Sequence, residues 1–203
     1  MTRNLLLALG LLAAGFASAS RAATVSPLAP FFARLDAGGR AEVRIAKRAS
    51  SAEGEERIHG RAALEPPDLA RLDFDETGER VTLRADGGEW LQPRLRQLVR
   101  LDPAQARVAL EWWDLLLGRD RDAFVERALA PRRVLLLKRV EGAAPDSAWV
   151  TLDQRGLPTR LAVHQSQGMR AVFELSRWRF GGARGRTAFV IAPPVGYDVV
   201  DLP

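Results

Sequence analysis

The sequence has no cysteine, and that absence excludes several classes at once. No disulfide can brace the fold, so the chain is not one of the small secreted scaffolds held by cross-links. An anchor through a lipidated N-terminal cysteine is excluded too. Histidine is scarce, at His59 and His164 only, with no HxH or HExxH spacing, so no metal is expected. Lysine occurs only at Lys47 and Lys138, which leaves the formal net charge of +5 to arginine. Those arginines are scattered among Asp and Glu. Arg44, Arg57, Arg80, Arg84 and Arg96 fall on the polar half of alternating strands, so no nucleic-acid partner is expected. Tyrosine is nearly missing, at one residue against five Trp and eight Phe, so the aromatic content is mainly apolar.

Long hydrophobic runs are missing as well; nothing is long enough to span a bilayer. The N-terminus reads instead as a secretory signal over residues 1–19, with Arg3 ahead of an apolar stretch at 5–16. Ala17-Ser18-Ala19 offers small-x-small cleavage, and a cut as late as residue 22 is an alternative. The remaining residues, 23–203, are expected to form one exported domain, since no linker or internal repeat divides them. The full sequence is 47% hydrophobic and 27% charged, and a domain of this length can bury a substantial core.

Two periodicities are present. After Ser26-Pro27, Leu28, Phe31, Phe32 and Leu35 recur at helical spacing until Gly38-Gly39. Period two follows: Ala41, Val43 and Ile45, then Ile58, Gly60, Ala62 and Leu64, with polar residues 50–56 reading as the turn between. Pro66-Pro67 breaks the pattern before residues 69–74. Val81, Leu83 and Ala85 alternate up to the turn at Asp86-Gly87-Gly88, and Trp90-Leu91, Leu95, Gln97, Val99 and Leu101 follow. Residues 102–118 then read as a helix, capped by Asp102, opened by Pro103 and closed by Gly118. A second helical piece is expected over 120–130, ending at Pro131. Strands resume at 134–140, 149–152, 159–165 and 169–180, and a last one is expected at 189–192. Strands interrupted by a helical insert predict α+β with one large antiparallel sheet.

The helix at 102–118 is unusual because its second half is apolar on every side. Val108, Trp112, Leu115 and Leu116 share one face, and Leu110, Trp113 and Leu117 another. A helix apolar all round must be covered all round. Two readings stand: a central core helix, or a helix over an apolar cavity with scaffold on one face and ligand on the other. Other chemistry finds little support. No nucleophile elbow surrounds His164 and Ser166, and the acidic residues Asp73, Asp75, Glu76 and Glu79 flank a turn. Gly181-Gly182 and Gly185 lie in an arginine-rich turn with no helix after it, so no phosphate loop is read. Arg177, Arg179, Arg184 and Arg186 around that turn could touch anionic lipid headgroups or simply form an exposed hairpin end.

Several short motifs together carry a resemblance. They are Asp153, Gly156, Leu157 and Pro158 in one turn, then Trp178 and Phe180, Phe189, Pro193-Pro194, Gly196 and Val199-Val200-Asp201. Residues 71–74, Asp86-Gly87 and Trp90-Leu91 add to them. The chain resembles the LolA-type periplasmic carriers of outer-membrane lipoproteins over nearly all of residues 23–203. The resemblance implies a single strongly curved antiparallel sheet, a half-closed barrel covered by helices on its concave side. It also implies a periplasmic, non-enzymatic carrier without a cofactor, expected as a monomer. Its cargo would be an acylated lipoprotein or lipid, and its partners an inner-membrane ABC-type release complex and an outer-membrane receptor. One departure is plain: the better-known branch has a basic pair before Pro at the end of the second strand, whose Arg latches the lid. Here the sequence reads Glu65-Pro66-Pro67.

Physical chemistry gives such a carrier its task. An acyl chain of about 15 methylenes costs roughly 12 kcal/mol to expose to water, at about 0.8 kcal/mol per CH₂. The expected cavity and lid residues are Leu72, Phe74, Leu83, Trp90, Leu98, Leu110, Trp112, Trp113, Leu116, Phe173, Leu175 and Trp178; no catalytic residue is expected. The same pattern fits a carrier for another lipid or glycolipid serving a dedicated exporter, or a lipoprotein-sensing binding module.

Overall fold

The computed structural model describes residues 26–51, 54–118, 124–138, 147–164 and 170–202; the expected signal lies outside them. Among the described residues, period-two patterning builds twelve strands of a single sheet. In chain order these are α1 (Ala29–Gly38), β1 (Arg40–Ser51), β2 (Gly54–Glu65), β3 (Leu69–Phe74), β4 (Arg80–Arg84), β5 (Gly87–Gln92) and β6 (Gln97–Leu101). Then come α2 (Pro103–Leu117), β7 (Phe124–Ala130), β8 (Arg133–Lys138), β9 (Ser147–Leu152), β10 (Pro158–His164), β11 (Arg170–Gly181) and β12 (Asp198–Asp201). The spatial order is β12-β6-β5-β4-β3-β2-β1-β11-β10-β9-β8-β7. Every pairing is antiparallel except β12 on β6, which is parallel. The sheet is not closed into a barrel, because β12 and β7 are its two edges.

Cross-strand register carries the apolar rows from strand to strand. Leu72 faces Ala62, which faces Val43, and Leu83 faces Ala70, which faces Leu64 and then Ala41. On the other wing Phe173 faces Leu161, which faces Val150 and then Val134. These residues and both helices form one continuous buried cluster. The helices divide the inner face between them. α1 packs on β1 and β11, whereas α2 packs on β2, β4, β5 and β6. Residues 112–117 of α2 are all buried, whichever way they point. Such burial requires the sheet to rise on more than one side of the helix. The fold is therefore α+β, with one curved sheet and helices in its concavity.

The outer face is partly covered as well. After a short 3₁₀ turn at Arg186–Phe189, the chain crosses the outside of the sheet before β12. Phe189 is buried there, and Ile191 packs with Leu91, Leu98 and Tyr197 in a second, smaller cluster.

Four sequence expectations are corrected. Residues 124–130 form edge strand β7, paired to β8 around Pro131, in place of a helix. Only Phe124 in β7 is buried, so the strand lacks the alternation that would have marked it. Residues 189–192 are not a strand: Phe189 and Ile191 pack down on the outer face of the sheet, but among the described residues no strand pairs with them, and the last strand is β12. The polar turn at 50–56 is tighter than expected, since the β1–β2 ladder runs out to Ser51 and Gly54. Arg84 lies on the polar half of β4 as expected, and the crossing segment buries it at 8% exposure. Arg96 stands outside the strands, in a left-handed conformation just before β6.

Candidate functional site

The candidate site is the concavity that α2 fills. Its ends are locally encoded. The Asp102 carboxylate accepts the Gln105 backbone N–H at 2.7 Å, and the Gln105 side chain accepts the Asp102 N–H at 3.3 Å, a reciprocal cap. Gly118 ends the helix at φ 75°, which a side chain would disfavour, and its N–H bonds the Asp114 carbonyl. Between these ends Ala106, Leu110 and Leu116 are at most 1% exposed. Two polar groups accompany them inward. Asp114 is a buried carboxylate, and among the described residues the buried Trp112 indole N–H has no hydrogen-bond partner. An unsatisfied buried donor costs about 1–3 kcal/mol. The seat of α2 is thus apolar but imperfect.

Ten of the twelve expected site residues meet in the continuous inner cluster, Leu72, Leu83, Leu110, Trp112, Trp113, Leu116 and Leu175 as buried side chains and Phe74, Phe173 and Trp178 as partly buried rim contacts. Trp113 meets Phe173 edge-to-face with ring centroids 5.3 Å apart, which joins α2 to the β11 wing. Both tryptophans of α2 are buried against protein. Phe74 packs partly buried at the cluster's margin. Trp178 joins it under α1 instead of α2, edge-on to Phe31 at 5.0 Å, and its N–H donates to the Pro158 carbonyl at 2.6 Å. Trp90 lies on the inner row between Val81 and Val99; it is only half-buried and donates to Glu79 at 3.2 Å. Leu98 is misplaced by the sequence reading. It has the opposite parity to Val99 and sits in the outer cluster beneath Ile191. The α1 side chains Phe31, Phe32 and Leu35 belong to the concavity and were absent from the expected set, although their helical spacing was legible.

Phe173 and Leu175 cannot share a face with Trp178 on an unbroken strand, because parity alternates. A β-bulge resolves the conflict. Glu42 pairs with Arg179 and Arg44 with Ser176, so one residue of β1, Val43, stands opposite two of β11. Arg177 takes φ 56° at that point. The extra residue keeps Phe173, Leu175, Trp178 and Phe180 all inside, and turns Ser176, Arg177 and Arg179 outside.

The outer face carries directional polar contacts. Glu89 accepts from Arg84 at 2.6 and 2.7 Å and from the Thr82 hydroxyl at 2.5 Å, while Arg84 also donates to the Phe189 carbonyl at 2.6 Å. Burial pushes the Glu89 carboxyl up, but the Arg84 and Thr82 hydrogen bonds outweigh it and hold it below its ordinary value. Glu65, the last residue of β2, accepts the backbone N–H groups of Arg184 and Gly185 at 2.8 and 2.9 Å. It ties the crossing segment to the sheet, away from α2. The two histidines also lie outside: His59 contacts Glu76 at 2.5 Å, and His164 lies edge-on to Trp149 at 4.8 Å. No group of three metal-ligating side chains occurs among the described residues.

No family model matches the chain, and no curated protein matches it. Solved structures are similar to it. An uncharacterized conserved protein from Thermus thermophilus shares 13% identity over 85% of this chain and 97% of its own, with a TM-score of 0.48. A DUF1329 family protein from Desulfovibrio piger shares 10% identity over 82% of this chain and 98% of its own, with a TM-score of 0.47. A LolA superfamily protein from Nitrosomonas europaea shares 10% identity over 83% of this chain and 99% of its own, with a TM-score of 0.44.

Proposed function

We propose that this protein is an exported, non-enzymatic carrier that shields the acyl chains of a lipoprotein or lipid by exchanging them for α2. One observation carries the reading: α2 lies inside the concavity, packed on β4–β6 and through Trp113 on Phe173 of β11. The helix occupies the volume that acyl chains would take. Its 15 residues span about 22 Å at 1.5 Å per residue. Apolar packing lacks direction, so one apolar occupant can replace another at modest net cost. The unpartnered Trp112 donor weakens the closed seat. Junctions at Asp102 and Gly118 offer places for the chain to bend. Cavity-lining residues in the open state would be Leu72, Phe74, Leu83, Trp90, Phe173 and Leu175, with Leu110, Trp112, Trp113 and Leu116 as the lid.

The motif resemblance extends this reading to transfer between an inner-membrane ABC-type release complex and an outer-membrane receptor in the periplasm, in a mature chain of residues 23–203. The test is to express the full chain with its export signal and identify copurified lipid by mass spectrometry. Titration with a fluorescent fatty acid then follows, on wild type and on Leu110→Ala. Stoichiometric acyl binding, stronger in the variant with the loosened lid, is expected. Absence of bound lipid together with no probe uptake by either protein would overturn the proposal.

A further inference from the structure

The arginines that look scattered in sequence converge in the fold. A recess of about 730 Å³ opens on the outer face between β1, β2, β3 and β11, with Ala188 and Phe189 of the crossing segment as one wall. Seven arginines line it (Arg40, Arg44, Arg61, Arg71, Arg177, Arg179 and Arg184) against two carboxylates, Glu42 and Asp73. That excess of five equals the formal net charge of the entire chain. Register explains the convergence. Arg44 lies opposite Arg61, Arg179 opposite Glu42, and Ala63 between Glu42 and Arg71, so a methyl group forms the floor.

The carboxylates present are already engaged. Asp73 holds Arg71 at 3.0 Å, and Glu42 is shared by Arg40 and Arg184 at 3.4 Å each. Arg44 is held at 3.1 Å by Asp75. No ion pair forms at Arg61, Arg177 or Arg179 among the described residues. Arg40 is 12% exposed at its side chain; its Nε has no hydrogen-bond partner, and its Nη1 has only the long ion pair to Glu42. A buried, under-bonded guanidinium is costly unless something supplies acceptors. The bulge adds an independent sign. Arg177 stands at φ 56°, a region that non-glycine residues occupy at a cost of order 1 kcal/mol or more. That conformation is what turns its side chain, and the parity of Arg179, toward the recess.

We propose that this recess is a binding site for a phosphate-ester group, distinct from the acyl-chain concavity and independent of it. Planar guanidinium forks match phosphate oxygens in pairs, and several of them suit the larger set of acceptor oxygens on a phosphate ester better than a single carboxylate. The site lies on the reverse side of the strands that line the concavity, beneath the segment tied by Glu65 and Arg84.

Two probes test it and separate the sources of the phosphate. Pyrophosphate is titrated calorimetrically into the full-length protein at low salt, and sedimentation is measured with phosphatidylcholine vesicles with and without phosphatidylglycerol. Wild type is expected to bind at least one probe, more weakly as salt rises. R61Q/R179Q is expected to weaken that binding at least tenfold, whereas R127Q, on the distant β7, leaves it unchanged. Arg177→Gly, which keeps the bulge conformation and removes the charge, is expected to weaken it severalfold; it stands alone if the double variant does not fold. Binding of pyrophosphate identifies a soluble phosphate ester, and binding only to anionic vesicles identifies a lipid headgroup; either upholds the site. Failure of both probes with wild type, or equal binding by R61Q/R179Q, R177G and R127Q, overturns it.

Discussion

The two faces of this sheet are held in different ways. Outside, the crossing segment is fixed by directional bonds that are satisfied: Arg84 to Glu89 and to the Phe189 carbonyl, Glu65 to two backbone N–H groups. Inside, α2 is held by burial of Leu110, Trp113 and Leu116 with a Trp112 donor left unpaired. Directional networks lose much when one member goes, because the partner is left buried. Apolar contacts are interchangeable with any apolar group of similar shape. The difference teaches which side of the molecule is held by direction and which by burial alone, and only the second suits the exchange proposed above.

The largest expected effect breaks the outer network. Arg84→Ala strands the half-buried Glu89 carboxylate and leaves the Phe189 carbonyl without its donor, and should cost about 3–5 kcal/mol in denaturant unfolding, with acyl-probe affinity of the folded fraction unchanged. Leu110→Ala on the inner side should cost roughly 3 kcal/mol. Unlike the outer variant, it should raise probe uptake severalfold, because the lid leaves more easily. If both variants moved probe binding in the same direction, the contrast between the faces would fail. Asp102→Ala removes the helix cap for about 1 kcal/mol; hydrogen exchange should rise within 103–110 and stay unchanged around 186–192.

Acid gives the smallest effect near neutrality and the sharpest separation below it. The folded Glu89 carboxyl lies below its ordinary value, so its stabilisation is complete above the unfolded carboxylate pKa of about 4.3. It is lost as pH falls through the lower folded value. Limited proteolysis with an acid-tolerant protease should therefore release the segment 182–197 on acidification before α2 is cut. Cleavage in α2 first would reverse the assignment of the rigid side.

Much of this was legible in the sequence, and what was not has physical causes. The cap Asp102, Pro103 and Gly118 of α2 stood where local chemistry requires them, and Ala41, Val43 and Ile45 alternated because one face is buried. β7 was hidden because residues 125–130 are partly or fully exposed on both faces of an edge strand; helix-forming composition then had nothing local to oppose it. The burial of Arg84 and the face of Leu98 were not legible for a shared reason: covering the outer face depends on a segment about a hundred residues away. The rows of arginine were likewise visible only as alternation. Their convergence depends on register between β1, β2, β3 and β11, which no local pattern reports.

The unjoined edges β12 and β7 have a consequence for what the protein can hold. A closed barrel has a fixed number of strands and a fixed girth, and widening it means breaking a backbone ladder. This sheet is a gutter, and among the described residues no ladder joins its two rims. Its bore is therefore not fixed by closure. Under the carrier reading proposed above, a slender cargo and a bulky one are both expected to fit between the same walls, as between the sides of a sling.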